Sequence, residues 1–160
     1  MLCYYYTSSD VFMNVLCNNK KAGFKYSFLK KLEAGLVLSG WEVKSLKNGN
    51  GQLSESYITI VKDEIFLSNA HIKAVDTKNI STPQNPTSKR KLLLNRKEIN
   101  MLQGQVNQKG LTIVPIKIYA KNGIIKIEIA LSKGKKLHDK RLDQKNKDWQ
   151  RQKDRITKVR

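Results

Sequence analysis

Acidic residues and cysteines are both scarce in this chain of 160 residues, which carries 13 Asp and Glu against 31 Lys and Arg. The formal charge of +18 exceeds what solubility requires. It predicts a polyanionic partner, with nucleic acid first and an anionic membrane surface second. The two cysteines, Cys3 and Cys17, form no C-x-x-C motif, so no disulfide framework is predicted and a reducing cytoplasm is the favoured location.

Long hydrophobic runs are also missing. No segment approaches 18 uninterrupted apolar residues, which argues against a transmembrane helix, and no Lys or Arg precedes Lys20, which argues against a signal peptide. With 39% hydrophobic residues and the length of one domain, the chain is expected to bury a core without a disulfide or a structural metal.

Composition divides the chain into three regions. Residues 1–17 carry a single charge and no periodic pattern, and we expect an atypical extension that is not part of the folded domain. Residues 18–132 hold nearly all the long apolar runs and are predicted to form the folded domain. Residues 133–160 hold 12 basic and 4 acidic residues and are predicted to form a basic C-terminal tail.

The predicted tail has too few apolar positions to dock firmly on the domain. Leu142, Trp149 and Ile156 recur every seven residues and form only one thin line on a helix. We therefore expect the tail to be disordered alone and helical against an anionic partner that neutralises it.

Two hairpins are predicted from turn chemistry. Asn122-Gly123 suits a type I′ turn between strands at 111–121 and 124–131, in a register that pairs Lys121 with Ile124 and Ile116 with Ile129. Pro115 lacks an N–H group and indicates an edge or a bulge in the first strand. Lys62-Asp63 is expected to connect a second pair, Tyr57–Val61 and Glu64–Ser68, with Asp63 in the left-handed conformation.

The remaining elements complete a mainly β fold. Segment 33–38 is a further strand candidate, 92–94 is either a strand or the end of a loop, and 77–88 is a loop. Helices are predicted at 41–47 and at 95–108, the second capped by Asn95 with Glu98 three residues on. Five or more short strands with two to three peripheral helices predict a small antiparallel barrel.

No constellation of catalytic or metal-ligating residues is found in the sequence. His71 and His138 lie in different regions, and a lone histidine is more often structural or solvated than catalytic. Gly134-Lys135 lacks the first glycine of a phosphate-binding loop, because Ile129 stands in its place. We therefore predict no enzyme activity, no metal, no cofactor and no small-molecule substrate.

Basic side chains instead cluster in three places, as expected for binding to phosphates. The clusters are Lys20, Lys21, Lys25, Lys30 and Lys31; Lys89, Arg90, Lys91, Arg96 and Lys97; and Lys133, Lys135 and Lys136. Tyr26, Trp41 and Tyr119 could stack on unpaired bases, with a packing role as an equal alternative.

Several motifs resemble those of the small protein B family, the SsrA (transfer-messenger RNA)-binding proteins of trans-translation. The longest is EAGLVLSGWEVKSLK at 33–47, and the others are NKKA at 19–22, RKLLLN at 90–95, VPI at 114–116, KNG at 121–123 and KGKKLHDKR at 133–141. They follow the order and spacing of the family over about residues 19–155. Departures are Phe24, Ser88 and Leu111, where the family often has His, Arg and Tyr.

This resemblance implies an oligonucleotide-binding (OB)-like antiparallel β-barrel over 18–132 that binds the tRNA-like domain of transfer-messenger RNA. It implies delivery of that RNA to stalled ribosomes for rescue and peptide tagging, without a covalent step. The tail would enter the decoding centre and the empty mRNA channel of the ribosome and fold there into a helix. A general nucleic-acid-binding or ribosomal protein is the alternative that charge alone would allow, and an RNA-acting enzyme is a weaker one.

The resemblance also implies individual site residues. The positions implied to bind RNA are Asn19, Lys20, Lys21, Glu33, Lys44, Arg90, Lys91, Leu93, Lys126, Lys133, Lys135 and Lys136. The positions implied to meet the ribosome through the tail are His138, Asp139, Lys140, Arg141 and Trp149. For Glu33 two roles stay open, because a carboxylate can accept hydrogen bonds from bases or form an ion pair at the rim of the barrel.

Overall fold

The structure is a computed structural model that describes residues 14–74, 85–136, 139, 149 and 151–153. Its strands and helices, in chain order, are β1 (Asn14–Asn18), α1 (Ala22–Lys25), β2 (Tyr26–Leu36), α2 (Gly40–Lys47), β3 (Gly51–Gln52), β4 (Tyr57–Val61), β5 (Glu64–Ser68), β6 (His71–Ile72), β7 (Arg90–Leu93), α3 (Arg96–Lys109), β8 (Thr112–Lys121) and β9 (Ile124–Gly134). Residues 139, 149 and 151–153 of the predicted tail are helical, whereas the tail was expected to be disordered without a partner.

Seven of the strands form one antiparallel sheet in the order β1-β8-β9-β2-β7-β5-β4, and β3 pairs with β6 beside it. Strand β4, at one end of this order, comes within 8 Å of β8 between Cα atoms. Side chains from the sheet and from α2 and α3 form one apolar core, in which Leu46, Leu102 and Ile127 are fully buried. The predicted mainly β fold with peripheral helices is confirmed.

The β8–β9 hairpin confirms most of the predicted register. Asn122 and Gly123 have φ of 52° and 79°, and Lys121 faces Ile124 as expected. A bulge follows between Pro115 and Lys117, so Pro115 rather than Ile116 faces Ile129. The predicted pair of Ile116 with Ile129 is therefore wrong. The cause is the bulge that Pro115 itself indicated, because proline has no N–H to donate to the ladder.

The β4–β5 hairpin has the predicted bounds and turn. Lys62 and Asp63 have φ of 46° and 62°, so both turn residues are left-handed. The strand candidate at 33–38 belongs to a longer strand, β2, whose alternation is interrupted by a bulge between Phe28 and Lys30. The ambiguous apolar segment at 92–94 belongs largely to β7, which pairs with β2 and β5.

Both predicted helices are confirmed within one or two residues. The Ser39 N–H donates to Glu42 Oε2 at 2.8 Å before α2, and the Asn95 N–H donates to Glu98 Oε2 at 3.0 Å before α3. Gly110 ends α3 with φ of 58°. No helix in the described part of the chain is both long and apolar enough to cross a membrane. Residues 77–84 of the predicted loop lie outside the described residues.

Two region boundaries need correction. Residues 14–17 were expected to lie outside the folded domain, but they form most of β1 and pair with β8. A bulge between Val15 and Cys17 breaks the alternation that would have indicated a strand. At the other end, β9 continues to Gly134, two residues into the predicted tail.

Candidate nucleic-acid interface

The Glu33 carboxylate lies in a network on the side of the sheet that faces away from the core. Core residues Ala34 and Ile127 alternate along their strands with Glu33 on β2 and Lys126 on β9. The carboxylate accepts hydrogen bonds from the Lys126 ammonium and the Tyr119 hydroxyl. The bond from Lys126, followed by that from Tyr119, holds the pKa of the Glu33 carboxyl below its usual range.

Tyr119 is almost fully buried, so it has a packing role rather than a face open for base stacking. Burial, followed by the hydrogen bond to Glu33, raises the pKa of the Tyr119 hydroxyl above its usual range. Of the two roles left open for Glu33, the structure shows the ion pair in the free protein.

A cleft of about 340 Å³ opens beside this network, and we call it the Glu33 cleft. Its lining includes Glu33, Lys126, Leu93 and Asn95. Leu93 is 55% exposed, although it is a large apolar side chain. At Gly35 an added Cβ would lie 3.1 Å from Leu93 Cβ, so the glycine permits close approach of β2 and β7. The cleft thus combines an acceptor, a cation and an apolar contact, the groups that can read an unpaired base and its phosphate.

The network predicts a pH-dependent contribution to stability. A carboxyl with a lowered pKa in the fold stabilises the protein above its ordinary pKa of about 4.3, and this stabilisation is lost as the pH falls through the lower folded value. We expect Glu33→Gln to reduce the free energy of unfolding at pH 7 and to reduce it less at pH 3. Urea unfolding of wild type and Glu33→Gln at both pH values measures the difference in their free energies of unfolding. If that difference were the same at pH 3 and pH 7, the network would be contradicted.

Arg90 does not lie on the surface as an RNA contact would. Its side chain is 2% exposed, and its Nε donates to Glu42 Oε1 at 2.7 Å. Its other donors reach the carbonyl oxygens of Ala70, Ser88 and Pro86 at 2.6, 3.0 and 3.0 Å. In the free protein the guanidinium binds Glu42 and the chain's own backbone, which indicates a structural role for Arg90 and argues against the direct contact with RNA that the resemblance implies.

Asn19 is also structural. It is 6% exposed, its Nδ2 donates to Pro115 O at 3.1 Å, and its Oδ1 accepts from the Ala22 N–H at 3.2 Å. The side chain therefore connects the start of α1 to β8. Its implied direct contact with RNA does not fit this burial.

The implied lysines divide into engaged and available side chains. Lys21 pairs with Glu55 at 3.2 Å, and Lys91 pairs with Glu64. Both pairs are exposed and contribute little free energy, so either lysine can exchange its carboxylate for a phosphate at small cost. Lys20 and Lys44 are exposed and have no ion pair with a described residue. Lys133 and Lys136 are exposed, whereas Lys135 is half-buried and donates from Nζ to Gly23 O at 2.9 Å.

The fold brings together the first and third basic clusters of the sequence. Tyr26 pairs with Gly134 and Ser27 with Lys133, so α1 lies beside the end of β9. We call the resulting group the tail-root cluster; it comprises Lys20, Lys21, Lys25, Lys133, Lys135 and Lys136. The second basic cluster lies elsewhere, against the β4–β5 turn, where Arg96 pairs with Asp63 at 2.8 Å.

Of the residues implied for the tail, His138, Lys140 and Arg141 lie outside the described residues. Asp139 is exposed, and its Oδ2 accepts the Lys136 N–H at 3.2 Å. Trp149 is 61% exposed, with the Lys153 ammonium 5.5 Å from the centre of its ring. The described residues contain no group of three or more His, Cys, Asp and Glu that could hold a metal.

A basic antiparallel sheet with exposed lysines and a mixed polar and apolar cleft is typical of a nucleic-acid-binding protein. A family model described as SmpB protein matches residues 16–159. Because this match spans most of the sequence, the chain belongs to the SmpB family.

Individual relatives agree with this assignment. An SsrA-binding protein of Ruthia magnifica is 49% identical over 146 residues, which cover 91% of this chain and 88% of the relative. An SsrA-binding protein of Burkholderia lata is 48% identical over 144 residues, which cover 90% of this chain and 97% of the relative. A solved structure described as "tmRNA-SmpB: a journey to the center of the bacterial ribosome" contains a chain that is 40% identical, with a TM-score of 0.62, covering 75% of this chain and 84% of that one.

Proposed function

We propose that this protein binds transfer-messenger RNA and delivers it to stalled ribosomes for trans-translation, as a binding factor of the cytoplasm without enzymatic activity. The observation that carries the proposal is the family match over residues 16–159, together with a structural relative described as tmRNA-SmpB. The Glu33 cleft, which Lys126 lines, and the exposed lysines elsewhere on the fold supply surfaces with suitable chemistry for RNA.

The RNA-binding surface centres on the Glu33 cleft. Glu33 accepts hydrogen bonds from base N–H groups, Lys126 exchanges its partner Glu33 for a phosphate, and Leu93 packs on a base or ribose. Lys20, Lys21, Lys44, Lys91, Lys133 and Lys136 contribute attraction to phosphates. The seven-stranded sheet is proposed to act as an OB-like barrel, supported by the approach of β4 to β8.

The tail is proposed as the part that acts on the ribosome. Residues 137–160 contain nine basic and four acidic residues, so they are attracted to ribosomal RNA. His138, Asp139, Lys140 and Arg141 would meet the decoding centre, and Trp149 would lie further along the empty mRNA channel. This division assigns RNA binding to the folded domain together with Lys133 and Lys136, and ribosome engagement to residues 137–160.

The RNA-binding proposal is tested by the salt dependence of affinity. We expect the protein to bind transfer-messenger RNA more tightly than bulk tRNA in a gel shift at physiological salt. Lys20→Ala should lower the slope of log affinity against log salt by about 1, because one phosphate contact is lost. Lys109→Ala, an exposed lysine at the end of α3 outside the proposed surface, is the matched control and should leave the slope unchanged.

Two results would contradict the proposal. Equal affinity for the two RNAs would indicate a general nucleic-acid-binding protein instead. Equal slopes for the two lysine variants would show that Lys20 lies outside the interface.

A further inference from the structure

The lysine at the start of the tail, Lys135, differs from its neighbours in what it binds. Its ammonium donates to Gly23 O at 2.9 Å, and its backbone N–H donates to Lys25 O at 3.0 Å. Both acceptors belong to α1, which lies about 110 residues earlier in the chain. Lys136, the next residue, is exposed, and its backbone N–H instead binds Asp139 Oδ2.

The acceptors are carbonyl groups that need partners. The last carbonyl oxygens of a helix have no intrahelical donors and carry partial negative charge, which favours a cation nearby. In α1 the Ala22 oxygen is satisfied by the Tyr26 N–H, whereas Gly23 O and Lys25 O receive their bonds from Lys135. Lys135 thus caps the C-terminal end of α1 from a distant part of the chain.

Helix α1 is too short to be stable without such partners. It has four residues, far fewer than an isolated helix requires. At its start, Asn19 binds the Ala22 N–H and the Pro115 carbonyl, which fastens α1 to β8. At its end, Lys135 fastens α1 to the segment that continues β9. The helix therefore connects the sheet to the residue from which the tail departs.

We propose that Lys135 is a positioning residue: it fastens the root of the tail to α1 and so fixes the direction in which the tail leaves the sheet. It acts through the tail and not by donating its ammonium to RNA. The inference rests on the proposed function for its consequence on the ribosome, but the contact itself can be tested without RNA.

The test uses the full chain and a matched pair of variants, Lys135→Met and Lys136→Met. Each variant removes one positive charge, at one of two adjacent positions, and puts a side chain of similar length in place of the lysine. Amide hydrogen exchange by NMR reports the bond between the residue 135 N–H and Lys25 O. We expect the exchange rate of this amide to be about tenfold higher in Lys135→Met than in wild type. In Lys136→Met the exchange rate should equal that of wild type. Lys135→Arg, whose guanidinium can still reach Gly23 O, should restore slow exchange.

The functional arm compares RNA binding with peptide tagging on stalled ribosomes. Lys135→Met should keep the salt slope of wild type for transfer-messenger RNA and lose most of the tagging activity, with recovery in Lys135→Arg. Lys136→Met should lower the salt slope by about 1, because its exposed ammonium is free to meet phosphate.

The outcomes separate the inference from the proposed function. Unchanged exchange at residue 135 in Lys135→Met, or a loss of salt slope equal to that of Lys136→Met, would overturn the positioning role. Faster exchange in Lys135→Met together with equal binding of transfer-messenger RNA and tRNA by wild type would support the fastening and refute the proposed function instead.

Discussion

Arg90→Met is expected to lower the free energy of unfolding by about 3–5 kcal/mol, a large fraction of the stability of a domain of this size. The substitution leaves the Glu42 carboxylate, whose side chain is 6% exposed, without its cation. It also removes donors from three backbone carbonyls, at Ala70, Pro86 and Ser88. A buried charge without a partner keeps the cost of desolvation and loses the attraction that offset it.

The adjacent residue provides a matched control. Lys91 forms an exposed pair with Glu64, and such pairs contribute about 1 kcal/mol or less. Urea unfolding of Arg90→Met and Lys91→Met should therefore show a large shift of the midpoint for the first variant and a small one for the second, at equal slope. The double variant Arg90→Met/Glu42→Gln should recover part of the loss, because no uncompensated charge remains and the amide oxygen can still accept the Ser39 N–H.

RNA binding distinguishes this role from direct contact. At a temperature where Arg90→Met remains folded, its salt slope for RNA binding should equal that of wild type, whereas Lys91→Met should have a lower slope. A stable Arg90→Met protein with a reduced slope would contradict the assignment of Arg90 to the interior.

Local chemistry explains which elements could be predicted from the sequence. The Asn122-Gly123 turn and the Asn95 cap depend on residues within a few positions of one another, so the sequence shows every group involved. The turn also determines how β8 and β9 pair, so the register could be predicted from Lys121 back to Lys117, where the bulge next to Pro115 begins. Strand β1 is not next to a comparable turn, and a bulge interrupts its alternation. It can therefore be recognised as a strand only from its pairing with β8.

The site was harder to predict because its contacts join distant parts of the chain. Arg90 meets Glu42 across 48 positions, and Asn19 meets Pro115 across 96. A family motif marks such residues as important without separating contact with RNA from support of the fold. For Glu33 the sequence leaves two roles open, because its ion pair with Lys126 forms only when β2 and β9, which are far apart in the chain, lie side by side.

Truncation of the chain after Lys136 is expected to abolish peptide tagging while leaving binding of transfer-messenger RNA largely intact. The truncated chain keeps all nine strands of the described structure and both bonds from Lys135 to α1. It loses nine basic and four acidic residues, so its net charge falls from +18 to about +13. Affinity should decrease modestly from the weaker long-range attraction, with little change in melting temperature.

The control for charge is a full-length chain in which residues 137–160 are shuffled. This variant keeps the composition and the net charge of the tail and loses the order of His138, Asp139, Lys140 and Arg141. If the tail acts through specific contacts in the decoding centre, the shuffled chain should tag as poorly as the truncated one. If the tail acts only through its charge, the shuffled chain should tag normally, which would contradict the proposed contacts.

Both chains are compared with wild type in two assays, a gel shift with transfer-messenger RNA and a tagging assay on stalled ribosomes. Normal tagging by the truncated chain would refute the role proposed for the tail. Loss of RNA binding together with tagging would show that the tail also contributes to the RNA interface. Retained binding with lost tagging is the expected result, because the Glu33 cleft and the lysines in and just before α1 lie entirely within the retained residues.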